Sequence, residues 1–306
     1  MTRVANTGRH ESASRIAGFW RTALPLQGKA DPLRAILSPA LSPVAPERAE
    51  AAGKAPYPAR QVLVSAVVFA LAFAAATHPD LFDRPVTVLI NRLAGHSDLF
   101  DRIVNVIYWY PTFTGAPLMA LVWACWFEDE DFERRSRIML GTLAAAGAGF
   151  VSRLLQHALP THPRPYYDAA IQFRVPLGQD QLLNTWHSFP SDHVTVFAGL
   201  VAVLFVARSR LAVPMLIYTA VMELARTYMG AHYPSDLIGG AALAFICVWA
   251  VQMPQIVAGG GRIVAWERNH RPAFYATAFF LSYQVAMLFT ELRSAGSLLM
   301  HQVLQR

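Results

Sequence analysis

The sequence predicts an all-α fold, a polytopic membrane helix bundle with six core transmembrane helices and a seventh near the C-terminus. Three observations carry this expectation. Of the 306 residues, 54% are hydrophobic and 15% charged, and the mean hydropathy is +0.32, too apolar for an ordinary soluble enzyme. The apolar residues gather into recurring runs close to the length that crosses a bilayer core. The polar clusters rich in Arg, His and Asp sit at the ends of those runs, beside a hydrocarbon phase, where ionisable groups are costly unless they act.

Residues 1–59 are rich in Pro, Ala, Ser and Arg, and no apolar run among them is long enough for a signal-peptide core. They read as a mostly disordered cytoplasmic lead, in which Ile16, Phe19, Trp20, Ala23 and Leu24 keep the spacing of a short interfacial helix. Gln61–Thr77 is a nearly unbroken apolar run and forms the first expected span. From Asp80 to Tyr110 apolar and charged residues alternate at helical spacing, which suits interfacial helices better than a second crossing. Thr112–Phe127 is the second expected span, and Glu128–Arg137 is read as a solvated connection. The third, Ile138–Leu155, carries small residues from Ala144 to Gly149 that let a neighbouring helix approach closely.

Leu159–Phe189 forms a long polar connection, followed by spans at Val194–Ala207, Leu211–Met229 and Tyr233–Met253, the last with Gly239 and Gly240 on a packing face. Gly259-Gly260-Gly261 reads as a flexible turn in a connection, and Ala273–Leu292 as the seventh span. The chain thus divides into an N-terminal segment 1–59, a six-helix core 60–253 and a C-terminal part 254–306, made of a cytoplasmic connection and the last helix.

Charge sets the expected orientation. Residues 1–60 hold nine Lys/Arg against four Asp/Glu, and with the N-terminus inside, 17 of the 26 Lys/Arg fall on inward segments. The remaining clusters then face a periplasm or the cell exterior. This concentration explains the net charge of +6 as an orientation signal and excludes nucleic acid as a partner. Cys125 and Cys247 lie in apolar runs, no Cys/His spacing of the zinc kind occurs, and no Gly-rich phosphate loop follows a strand, so neither metal nor cofactor is expected.

The polar clusters are Arg164-Pro165, the run Ser188–His193, and the run Arg226–Asp236. Arg164 and Arg226 are permanently charged forks suited to phosphate oxygens, and Ser191 stands where a helix N-terminus would offer amides to an anion. Phosphoryl transfer through histidine needs one imidazole to attack phosphorus and another group to protonate the departing oxygen. His232 and His193 can fill those roles, and Asp236, four residues after His232, can reach back over one turn to hold a ring nitrogen.

At these positions the chain resembles the type 2 phosphatidic acid phosphatase superfamily, membrane branch. The family pattern is lysine, six residues, Arg-Pro; then Pro-Ser-Gly-His; then Ser-Arg, five residues, His, three residues, Asp. Here the blocks read His157 to Arg164-Pro165, Pro190-Ser191-Asp192-His193, and Ala225-Arg226 to His232 to Asp236. The resemblance implies a metal-independent lipid phosphatase with His232 as nucleophile, Asp236 as its partner, His193 as acid, and Arg164, Arg226 and Ser191 on the phosphate.

Three departures matter. His157 replaces the lysine, with Arg153 one turn earlier as the other candidate for that place. Ala225 replaces the serine. Asp192 replaces the glycine, a variant resembling the undecaprenyl diphosphate phosphatase branch, and this makes Asp192 the expected selectivity residue. The expected substrate is undecaprenyl diphosphate; phosphatidate, phosphatidylglycerol phosphate, lipid A, or transfer of the phosphoryl group to an acceptor are the alternatives.

Overall fold

A computed structural model describes residues 58–128, 130–179, 186–292 and 294–296. The N-terminal lead and its expected interfacial helix lie outside them. Among the described residues the regular structure is entirely helical: α1 (Ala59–Thr77), α2 (Asp83–Asn91), α3 (Asp98–Trp109), α4 (Thr112–Glu128), α5 (Phe132–Ala158), a 3-10 turn (Pro165–Tyr167), α6 (Asp192–Val206), α7 (Ala212–Tyr228), α8 (Pro234–Ala250), α9 (Pro254–Asn269) and α10 (Arg271–Ala286).

The centre is α6, buried on nearly every side. Phe197, Leu200 and Leu204 pack with Leu118 and Trp126 of α4, Ile138 and Ala145 of α5 and Val248 of α8 in one apolar core. Small residues set the helix spacing. A Cβ on Gly199 would stand 2.5 Å from that of Ala145, so α5 and α6 approach backbone to backbone along the small-residue run. A Cβ on Gly240 would meet the Ser191 carbonyl at 2.6 Å, and one on Gly239 would enter the Phe189 ring, so α8 seats directly on the segment that leads into α6.

Outward-facing positions are apolar as well. Leu63, Val64 and Leu71 on α1, Ile217 and Val221 on α7, and Phe279 and Phe280 on α10 are exposed, a pattern that suits lipid and not water. The chain is an integral membrane protein. By length and composition α1 and α5 each suffice to cross a membrane; joining α8 with α9 across an 81° bend, and α10 with Thr290–Gly296 across an 80° bend, raises the number to four. The six or seven expected crossings exceed this because α4 and α7 have 17 residues and α6 has 15. At about 1.5 Å per residue such helices reach roughly 22–26 Å, short of a core of about 30 Å.

Three local expectations need correction. The charged stretch after α4 is helix from Phe132 onward: Asp131 caps it by accepting the Arg134 amide at 2.6 Å, and Arg137 pairs with Glu133 one turn back at 2.6 Å. Gly259-Gly260-Gly261 is not a turn but lies within α9, where Gly260 and Gly261 admit the side chains of Leu140 and Phe132. The last apolar run is not one continuous helix: α10 ends at Ala286, and Leu288 and Phe289 take φ of 53° and 55° before the chain turns away.

At the end of the bundle where α6 and α8 begin, α2, α3 and residues 159–179 form a layer held by side-chain bonds. The Asn91 amide bonds the Arg174 backbone in both directions at 2.8 Å. Asp101 accepts the Leu177 amide at 2.8 Å and the Tyr228 hydroxyl. Arg84 clamps Asp168 at 2.8 Å, and Asp168 accepts the Tyr233 hydroxyl at 2.5 Å.

Candidate active site

The predicted residues gather at this end from five stretches: the C-terminal turns of α5 and α7, the described part of the 159–191 connection, the α6 N-terminus, and the entry and first turn of α8. Pro234 starts α8 in its first turn, and the Asp236 carboxylate accepts the Tyr233 amide at 2.7 Å, which closes the helix entry. His232 stands immediately before this cap and is 2% exposed. Its Nδ1 lies 3.4 Å from Asp236 Oδ2, at ion-pair range and off the line of a hydrogen bond. Its Nε2 lies 3.5 Å from Nη1 of Arg164. One ring nitrogen therefore faces a carboxylate and the other faces a guanidinium.

Arg164 is buried and anchored by donating to the Ala231 carbonyl at 2.7 Å, while its Nε has no partner. Arg226 comes from the last turn of α7, donates through Nε to Glu223 at 2.6 Å and lies 5.2 Å above the Tyr108 ring. Both arginines act on the Tyr108 phenol, whose burial pushes its pKa up against them. Burial pulls the His232 imidazole down to about 4, helped by the Arg164 charge and opposed by Asp236. Near neutral pH the ring is therefore neutral and keeps one nitrogen lone pair.

At the α6 N-terminus, His193 Nδ1 lies 2.9 Å from Asp192 Oδ1, and Arg153 Nη1 lies 3.3 Å from Asp192 Oδ2. Arg153 also stacks 4.6 Å over the Trp186 ring. His157 touches the same Trp186 ring but is exposed, so between the two candidates for the missing lysine only Arg153 reaches Asp192. The Ser191 hydroxyl is buried with no partner. Its amide does not point at an anion: it donates to the Asp236 carbonyl at 3.0 Å, as the Ser235 amide does to Asp83 at 2.9 Å. The α6 and α8 N-termini thus meet, with the Ser191 amide tied to α8 and the Ser235 amide tied to α2, so these two amides are spent within the fold.

A groove of about 470 Å³ opens beside Arg153, Asp192 and His193 and runs along Ala146, Gly149 and Phe150 of α5 and Val196 of α6 to Leu288 and Phe289. Its mouth is charged and its floor apolar.

Several participants were not anticipated. Gln156 and Ser152 hold the Pro190 carbonyl at 2.7 and 2.9 Å and so fix the approach to Ser191. Glu223 precedes Arg226 by three residues, a spacing that places both on one helix face and was readable. His162 and Asp83, fully interior behind Asp236, had no such signal.

Fold and site together define a helical membrane protein that concentrates arginine, histidine and aspartate at one end of its bundle, with an apolar groove beside Arg153, Asp192 and His193. Residues 137–255 match the PAP2 superfamily, and the chain carries a PAP2 superfamily domain. The chain is 32% identical over 100 residues to undecaprenyl-diphosphatase BcrC of Bacillus subtilis (strain 168), covering 32% of this chain and 48% of that protein. It is 30% identical over 142 residues to YbjG of Escherichia coli (strain K12), whose name gives the same activity provisionally, covering 46% of this chain and 66% of that protein. The match thus spans about half of one relative and just under two thirds of the other. A crystal structure of a transmembrane PAP2 type phosphatidylglycerolphosphate phosphatase from Bacillus subtilis superposes with a TM-score of 0.41 at 17% identity, over 64% of this chain and 94% of that one.

Proposed function

We propose that this protein is a membrane lipid phosphatase that releases phosphate from undecaprenyl diphosphate through a phosphohistidine. The observation that carries the proposal is the polarity of the His232 ring, with Nδ1 toward Asp236 and Nε2 toward Arg164. Arg164, Arg226 and the Ser191 hydroxyl bind the terminal phosphoryl group. Nε2 of His232 attacks its phosphorus as the bond to the leaving oxygen breaks, and His193, its Nδ1 held by Asp192, protonates that oxygen. The same imidazole then takes a proton from water, which attacks the phosphorus, and the bond to Nε2 breaks to give inorganic phosphate. Arginine supplies the charge throughout, so the proposed reaction needs no metal.

Asp192 gives the substrate preference its rationale. By pairing with Arg153 it places a third guanidinium at the groove mouth, where the second phosphate of a diphosphate would sit. The apolar floor suits a prenyl tail, and both relatives carry the undecaprenyl-diphosphatase name. We read 60–253 as a six-helix core. In it α4, α6 and α7 cross despite their shortness, because their outer ends lead into the site layer and not into open water. Residues 1–59 and 254–306 flank this core, α10 being a seventh crossing, and the site faces outward.

The test is phosphate release by purified protein in excess EDTA from undecaprenyl diphosphate, phosphatidate and phosphatidylglycerol phosphate in parallel. The expected order puts the diphosphate first, vanadate inhibits, and Asp192→Gly narrows the gap. Preference for phosphatidate, a metal requirement, or transfer to an acceptor instead of release would each overturn the corresponding part.

A further inference from the structure

Behind the His232–Asp236 pair lies a second acid–base pair that the scheme above does not use. His162 is enclosed, with its Nε2 3.4 Å from Asp83 Oδ2 and 3.9 Å from Asp236 Oδ1. Its Nδ1 is 3.2 Å from both the Ser188 hydroxyl and the Pro163 carbonyl, and the Tyr233 ring stands edge-on at 4.3 Å. Asp83, at the start of α2, is itself fixed by the Ser235 amide and hydroxyl at 2.9 and 2.5 Å, one residue from Asp236. Asp83, His162, Asp236 and His232 thus form a continuous row, with exposures of 0, 5, 0 and 2%. Two carboxylates this deep demand a cation between them, and His162 is the group in contact with both.

We propose that His162, held by Asp83, is a positioning residue that fixes and balances the Asp236 carboxylate, and so sets the proton affinity and aim of His232. The physical logic is a matter of sign. The Asp83 and Asp236 carboxylates hold the His162 imidazole above its ordinary pKa although burial opposes them, so it remains a cation while His232 titrates. A cation behind Asp236 offsets the pull of that carboxylate on His232 protons and keeps the nucleophile unprotonated. The other charges that face His232 are Arg164, which acts in the same direction, and Asp192, which opposes it. The inference rests on the reading of His232 as nucleophile for its role in turnover, but the electrostatic coupling stands apart from any activity.

The experiment is a ¹⁵N-histidine NMR titration of the full chain in detergent micelles, following His232 in wild type, His162→Gln and Asp83→Asn. Removing the cation should raise the His232 midpoint by about one unit, and removing the outer carboxylate should lower it. The acidic limb of kcat/KM should move in the same opposite directions. A merely structural role would lower activity in both variants without shifts of opposite sign, and unmoved or like-signed midpoints overturn the inference. Asp83→Asn alters charge and hardly shape, so its downward shift decides the matter even where His162→Gln does not accumulate. Wild-type protein that releases no phosphate from any lipid phosphate would defeat the phosphatase reading, while the His232 midpoints would still decide the coupling.

Discussion

Acidification should destabilise this protein through one identifiable side chain. His232 is 2% exposed and its imidazole is pulled down to about 4 by burial and by Arg164, whereas in an unfolded chain it titrates near 6.5. Between those two values the unfolded chain holds a proton that the folded protein does not. Stability therefore falls as pH drops from about 6.5 to 4 and is flat above this window with respect to this group. A gap of roughly 2.5 units at about 1.36 kcal/mol per unit gives a loss on the order of 3 kcal/mol. His162 has the opposite sign: its folded pKa is raised, so its contribution is present below 6.5 and fades as pH climbs through that raised value. The two windows do not coincide. The assay is the thermal unfolding midpoint in detergent from pH 4 to 8 for wild type and His232→Asn, which keeps a polar side chain but cannot take up the proton. Carboxylates away from His232 contribute the same acid slope to both, so the difference isolates His232 together with the two carboxylates that face it, Asp236 and Asp192. Wild type should lose stability faster below pH 6.5 than the variant, and parallel curves would refute the burial argument.

His232→Ala should abolish both turnover and phosphohistidine labelling, whereas His193→Ala should retain activity on an ester whose acidic leaving group departs unprotonated, as measured by single-turnover phosphate release. Glu223→Ala strands the buried Arg226 and should cost about 3–5 kcal/mol, while Glu223→Gln, which keeps an acceptor at 2.6 Å, should cost less; denaturant unfolding ranks the two. Gly199→Val forces side-chain atoms into Ala145 and should destabilise by about 1–3 kcal/mol, with a lowered thermal midpoint as the readout. For sidedness, a cysteine at exposed Gln172 should react with an impermeant maleimide in intact cells, and one at exposed Glu130 only after lysis.

What the sequence made legible were features written at short range. The four-residue step from His232 to Asp236 crosses one helical turn, and the residues before Pro234 could only be a helix entry. The small-residue run in α5 announced close packing. Gly259-Gly260-Gly261 was misread because glycine has two uses, to turn and to be approached, and only the neighbouring Leu140 and Phe132 distinguish them. The Asp131 cap and the Arg137–Glu133 pair made helix of a stretch whose charge suggested solvent. The role of His162 and Asp83 was out of reach, because it depends on α2 folding over α8, and no spacing in the chain links them. Arg153 and His157 lie one turn apart on the same face of one helix, and only the position of Asp192 and Trp186 separates them.

The groove at the site has a wall that the PAP2 match does not include. Residues 137–255 supply most of α5, all of α6 and every motif residue, but Leu288 and Phe289, which border the same groove, lie more than thirty residues beyond that stretch, where the backbone reverses at φ of 53° and 55°. The groups around the phosphorus and part of the surface along which a tail would run are thus written in separate stretches of the gene. Under the proposed function, changes in the later stretch would alter which chain fits without touching a residue of the chemistry, so a comparison over the matched stretch alone would cover the phosphate chemistry and only part of the choice of lipid.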